Sequence, residues 1–194
     1  MHYYFDSKNP NCTGLINDYL KMLINNTILP GQEIVILCIG SDRSTGDSLG
    51  PIVGYNLKKC FLPGFYIYGD IEHPVHAANL EKYISTIKRN FSNPFIIAID
   101  ASLGIDEHIG YITIGAGPLK PGLGVKKKLP EVGDIHITGI VNSSRNVDFT
   151  TLQTTRLNIV FKIANVITSA MKEISDDFYI LQQPEQLYQL NQIS

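Results

Sequence analysis

Two runs of apolar residues constrain this chain more than anything else in it: "EIVILCIG", Glu33 to Gly40, and "PFIIAIDASLG", Pro94 to Gly104. The first is continuous rather than alternating, β-branched and closed by glycine, the pattern of a strand buried on both faces of a parallel sheet. The second has the same apolar body but ends in an acidic, glycine-containing turn. Between them, "SLGPIVGYNLKKC" suits a helix with Pro51 tolerated in its first turn. "GFYIYGD" reads as a strand and "HAANLEKYISTIKRN" as a second helix. Strand, helix, strand, helix, strand is the doubly wound signature and predicts an α/β fold around a mainly parallel sheet.

The rest of the chain extends this frame. "TGLINDYLKMLINN" from Thr13 puts Leu15, Ile16, Tyr19, Leu20, Leu23 and Ile24 on one helical stripe. "IGYITIG" and "DIHITGIV" are further strands around a Gly-, Pro- and Lys-rich loop, "AGPLKPGLGVKKKLPEVG", and a long helix follows from about Asp148. There is no internal repeat or low-complexity linker. With 194 residues, 44% of them apolar, the chain can bury one good-sized core, so residues 1–194 are expected to form one domain.

A net charge of -2 with no basic stripe argues against nucleic acid or an anionic membrane as partner, leaving small molecules and proteins, and leaving homo-oligomerisation open. Three scattered cysteines, Cys12, Cys38 and Cys60, make no CxxC pair and fit a reducing cytoplasm. The N-terminal stretch has no basic region followed by an apolar one, and no apolar run approaches the roughly 20 residues that span a bilayer.

In open α/β sheets the ligand site lies beyond the carboxyl ends of the strands, where the winding reverses. The turn after the first strand, "CIGSDRSTGDSLGP", brings Asp47 to that edge, and Asp100 follows "FIIAI". Two carboxylates facing one another repel, so one keeps a proton near neutral pH while the other ionises. Such a pair can activate water and protonate a leaving amine. Asp47 would serve equally well as a helix cap, Asp100 could cap "ASLG", and Asp42 with Arg43 could form a salt-bridged turn.

Other chemistries fit less well. The turn has neither GxGxxG nor GxxxxGK[ST], Ser48 is not in a GxSxG elbow, and His73, His76, His108 and His136 lack tight metal-ligand spacing. No metal or cofactor is expected. Lys126 to Lys128 read as a solvated loop face, or as ammonium groups that glycine-rich backbone could bring to an anion. The loop's length suggests a lid beside the acids.

These stretches resemble a known group. "IGSDRSTGDSLGP" is similar to the turn of the germination protease of spore-forming bacteria, which reads like GxGN..VTPDALGP, and "IIAIDAS" to its VxAxDAL segment. "KPGLGVKKKLPEVGDIHITGIV" is similar to its PGSGVGNxRxE segment followed by a strand. The three motifs occur in the same order over Glu33 to Val141. In length and in "DRSTGDSLGP" and "LKPGLGV" the chain looks most like the small sporulation proteins of the YyaC type.

The resemblance implies the three-layer α/β/α sandwich shared with hydrogenase maturation endopeptidases, and an atypical aspartic peptidase whose catalytic pair matches Asp47 and Asp100. Ser41, Asp42, Arg43, Thr45, Ser102, Lys126 and Lys127 would then contact a protein or peptide substrate made during sporulation or germination, in the cytoplasm, forespore or spore core. Gly46 departs from the family's proline, and the chain is shorter than the protease. A binding module on the same scaffold is the alternative, as is a metal-dependent maturation endopeptidase. In those enzymes a Glu, an Asp and a His bind metal, and here the histidine at a comparable distance, His136, falls inside a predicted strand.

Overall fold

A computed structural model describes residues 2–121, 129–145 and 149–182. The elements are β1 (His2–Asp6), α1 (Cys12–Thr27), β2 (Ile34–Cys38), α2 (Leu49–Lys58), β3 (Phe65–Tyr68), α3 (Leu80–Asn90), β4 (Phe95–Gly104), β5 (Tyr111–Ala116), β6 (Ile135–Ser143), α4 (Phe149–Gln153) and α5 (Leu157–Gln182). Six strands form one sheet in the order β1-β5-β6-β4-β2-β3. The four strands β3, β2, β4 and β6 run parallel, and β5 and β1 add antiparallel pairs at one side. The chain is therefore a mainly parallel α/β sheet with helices on both faces, as the alternating pattern predicts.

The continuous apolar runs become the two-faced centre. Ile36, Ile97, Ile99 and Ile137 point into one layer with Ile16 and Leu20 of α1, Val53 of α2, and Ile163 and Ile167 of α5. The alternate residues Val35, Leu37, Ile96 and Ala98 pack on the other face against Leu80 and Ile87 of α3 and against Leu119 and Val132. Burying both faces of β2 and β4 removes apolar surface from water on each side of one backbone, which is why neither run alternates.

Three features depart from the sequence reading. The polar and aromatic stretch "HYYFD" forms edge strand β1. The C-terminal helix is two helices, α4 and α5, separated by the buried Thr155. Leu15, placed on the apolar stripe by its spacing, is 49% exposed, while Ile16, Leu20 and Ile24 are buried. No helix among the described residues is long and apolar enough to cross a membrane, and the three cysteines are free thiols.

Candidate active site at the carboxyl edge

From β2 the chain passes through α2 to β3 on one side, then returns through α3 to β4 on the other side of β2. The winding thus reverses between β2 and β4, the place where open α/β sheets bind ligands. The two strand ends are joined by an Ile39 N–H that donates to Ile99 O at 2.7 Å. Pairing of β2 with β4 stops at Cys38 and Ile99, but β4 continues to Gly104 beside β6. Asp100 therefore lies inside β4, opposite Thr138, one residue beyond the end of its β2 neighbour. Its place within a longer strand differs from the turn expected after Ile99, because β6 carries the ladder onward.

Asp47 closes a 3₁₀ turn, Thr45–Asp47, ahead of α2. Gly40, at φ +143°, makes the tight return, and a Cβ on it would stand 2.1 Å from the Asp47 carbonyl oxygen. Ser41 N–H donates to that oxygen at 2.9 Å. The N-cap of α2 is Ser48, whose hydroxyl donates to Thr45 O at 2.7 Å. Asp47 stands one residue before that position and is not itself the N-cap of α2.

The turn is pressed in from the far side by α4. A Cβ on Gly46 would come 2.7 Å from Thr155 Oγ1 and 2.9 Å from Leu152 Cα. This close approach requires the glycine that stands where the resembling family has proline. Asn142, near the end of β6, holds the buttress: its Nδ2 donates to Thr151 O at 2.7 Å and to Thr155 Oγ1 at 3.2 Å.

The two acids differ electrostatically. Asp100 is buried, and burial first, then the charge of Asp47, raises its pKa well above the usual carboxylate range; the Ala101 N–H, donating to Oδ1 at 2.8 Å, opposes this only in part. Asp47 is half-buried, and burial pushes its pKa up to about 6 against the opposing Ser41 N–H. Asp100 therefore holds its proton to higher pH than an ordinary carboxyl, and Asp47 ionises near pH 6.

Among the other expected site residues, Ser41 accepts the Arg43 N–H on its hydroxyl at 3.2 Å, and Asp42 and Arg43 are exposed with no ion pair between them among the described residues. Thr45 begins the 3₁₀ turn. Ser102, two residues beyond Asp100, has a buried hydroxyl oxygen with no hydrogen-bond partner among the described residues, and so does Ser44 in the turn. The sequence reading missed Ser44; its place in the polar run beside Thr45 was the available signal.

Lys126 and Lys127 lie outside the described residues. Their loop leaves β5 and returns to β6 at the amino edge of the parallel strands, opposite the acids. There Gly117 N–H donates to Asp134 O at 2.7 Å and Leu119 bridges to Val132. The described flanks of the loop are anchored away from the edge beside which a lid was expected, because antiparallel β5 delivers the chain to the opposite end of the sheet.

The fold invites a test for metal. His136 pairs with Ala98, two residues before Asp100, and both its ring nitrogens are engaged, Nδ1 with Gly117 O at 2.8 Å and Nε2 with His2 Nδ1 at 3.0 Å. The carboxyl end of β6 offers Asn142, already committed to α4. Among the described residues no three His, Cys, Asp or Glu side chains come together as a metal site. The described residues thus assemble no donor set that fits a bound metal.

The model of a family described as "Protein of unknown function (DUF1256)" matches residues 4–170. The chain belongs to the DUF1256 family. A relative, "Uncharacterized protein YyaC" of Bacillus subtilis (strain 168), is 53% identical over 141 residues, 73% of this chain and 69% of that protein. Among solved structures, the [NiFe] hydrogenase maturation protease HycI from Thermococcus kodakarensis KOD1 superposes with a TM-score of 0.54 at 20% identity, covering 79% of this chain and 99% of that one. This DUF1256 chain therefore shares the fold of a hydrogenase maturation protease.

Proposed function

We propose that this DUF1256 protein is a metal-independent peptidase of the germination-protease type, acting on a protein made during sporulation or germination. What supports the reading is the position of both acids at the switch point between β2 and β4, with burial raising both carboxyl pKa values and the charge of Asp47 adding to the rise at Asp100. The Asp47 carboxylate takes a proton from water as the water oxygen bonds to the scissile carbonyl carbon. The Asp100 O–H donates to the oxyanion that forms. As the C–N bond breaks, the proton on Asp47 passes to the leaving nitrogen, and both acids return to their starting states. Ser41, Asp42, Arg43 and Thr45 lie along the turn for contact with the peptide, and the buried hydroxyls of Ser44 and Ser102 stand behind them without a partner among the described residues.

The test is incubation of the full chain with small acid-soluble spore proteins and with a proteome-derived peptide library, with and without chelator. Cleavage that survives chelation is expected. Cleavage abolished by chelator would replace this reading with the metal-dependent one. Absence of cleavage throughout would favour a binding module on the same scaffold.

A further inference from the structure

We propose that β1 and the outer flank of α1 form an isologous interface with a second copy of this chain, joining two six-stranded sheets into one. Strand β1 is an edge strand whose outer side has no partner among the described residues. Its sequence, His-Tyr-Tyr-Phe-Asp, lacks the lysine, proline or bulge that keeps edges from pairing. Tyr3 is 47% exposed and Tyr4 52%.

The hydrogen-bond parity fixes which residues are available. Ser7 N–H donates to Gly110 O at 3.3 Å, so the odd residues of this edge turn their backbone groups toward β5 and the even ones turn theirs outward. Antiparallel self-pairing centred on Tyr4 is therefore in register with the free groups. It sets Tyr4 against Tyr4 of the other copy, Tyr3 against Phe5, and the His2 imidazole against the Asp6 carboxylate at both ends. The strand is complementary to itself in aromatic character and in hydrogen-bonding groups, as a two-fold contact requires.

Helix α1 supplies the second half of the surface. One side of it is tied to α5, with Asn17 Nδ2 donating to Glu173 Oε2 at 2.9 Å and Lys21 paired with Asp177. Leu15, Tyr19 and Met22 lie roughly 140–200° around the helix from Asn17, on the flank away from α5. Tyr19 there packs on Tyr3 of β1, with ring centroids 4.5 Å apart. Leu15 and Met22 are 49% and 47% exposed. The two-fold of an antiparallel strand pair stands perpendicular to the sheet, so both copies carry α1 on the same face. Their Leu15, Tyr19 and Met22 flanks then face each other across the axis, continuing the strand contact into an apolar helix contact.

The experiment is sedimentation velocity on the full chain at high micromolar concentration, beside Leu15→Glu/Met22→Glu and Tyr4→Pro. The glutamates fall on exposed positions, and the proline removes an outward-facing N–H together with the Tyr4 ring, which packs on His108. Thermal unfolding followed by circular dichroism checks that each variant is folded. A parent of about twice 21.6 kDa and folded, monomeric variants are expected. Should Tyr4→Pro fail to fold, the glutamate pair decides alone. A monomeric parent, or a folded variant that stays dimeric, overturns the interface.

Discussion

Asp70 and the Asp47/Asp100 pair all stand at the carboxyl ends of neighbouring parallel strands, yet they are solvated in opposite ways. Asp70 follows β3 and is buried, but it pairs with Lys58 Nζ of α2 and accepts the His73 N–H at 2.6 Å. Burial alone would raise its pKa; the lysine and the backbone donors hold it below the usual carboxylate range. Asp47 and Asp100 have no cation against them among the described residues, and burial pushes both up. A buried carboxylate serving stability comes with its counter-charge. One left without it costs stability and remains poised for proton transfer.

The largest expected effect is on turnover. Asp47→Asn and Asp100→Asn should each lower the rate of peptide cleavage by about 10²- to 10⁴-fold, while Asp70→Ala leaves the rate constant of folded protein within a few-fold of the parent. Full activity in either Asn variant would erase the distinction between the two regions.

Stability should move the other way. Asp70→Ala removes the partner of Lys58 and the acceptor for the His73 N–H, and should destabilise the fold by about 1–3 kcal/mol in urea unfolding. Asp47→Asn should stabilise it at pH 7 by about 1–3 kcal/mol. The unfolded carboxyl titrates near 4 and the folded one near 6. Between these values the native state binds more protons, so the parent loses stability as pH rises through this window and the Asn variant does not. The contribution of Asp70 has the opposite sign: present above about pH 4, lost as pH falls further.

A smaller effect is expected from Gly46→Ala. The new methyl meets the backbone of Leu152 as well as the movable Thr155 hydroxyl, so the turn and α4 must part, at a cost of about 1–3 kcal/mol. Because Asp47 rides on that turn, the acid limb of the pH–rate profile should shift toward lower pH as solvent reaches the carboxylate. An unchanged profile would show that α4 does not set the environment of Asp47.

The contrast was half legible in the amino-acid sequence. The continuous apolar runs before Gly40 and Asp100 expose the doubly wound sheet, because strands buried on both faces need not alternate, whereas the continuation of β4 through Asp100 to Gly104 depends on its pairing with β6. Asp70 escaped notice because its partner, Lys58, lies on the far side of β3 in the chain, at the end of α2, and such a pair leaves no local spacing. The same holds for Gly46 against Thr155, more than a hundred residues apart. β1 was invisible because a five-residue edge strand buries too little to need an apolar pattern. The placement of the loop flanks depended on the direction of β5, which composition does not encode.

The most direct test of the asymmetry is carboxyl titration by NMR on the full chain labelled with ¹³C at aspartate Cγ, with Asp47→Asn, Asp70→Asn and Asp100→Asn used for assignment. One resonance titrating near pH 6 and belonging to Asp47 is expected, with Asp100 titrating well above the usual carboxylate range and Asp70 below it. Titration of Asp47 and Asp100 together near pH 4, in step with the surface carboxylates, would contradict the proton-sharing site.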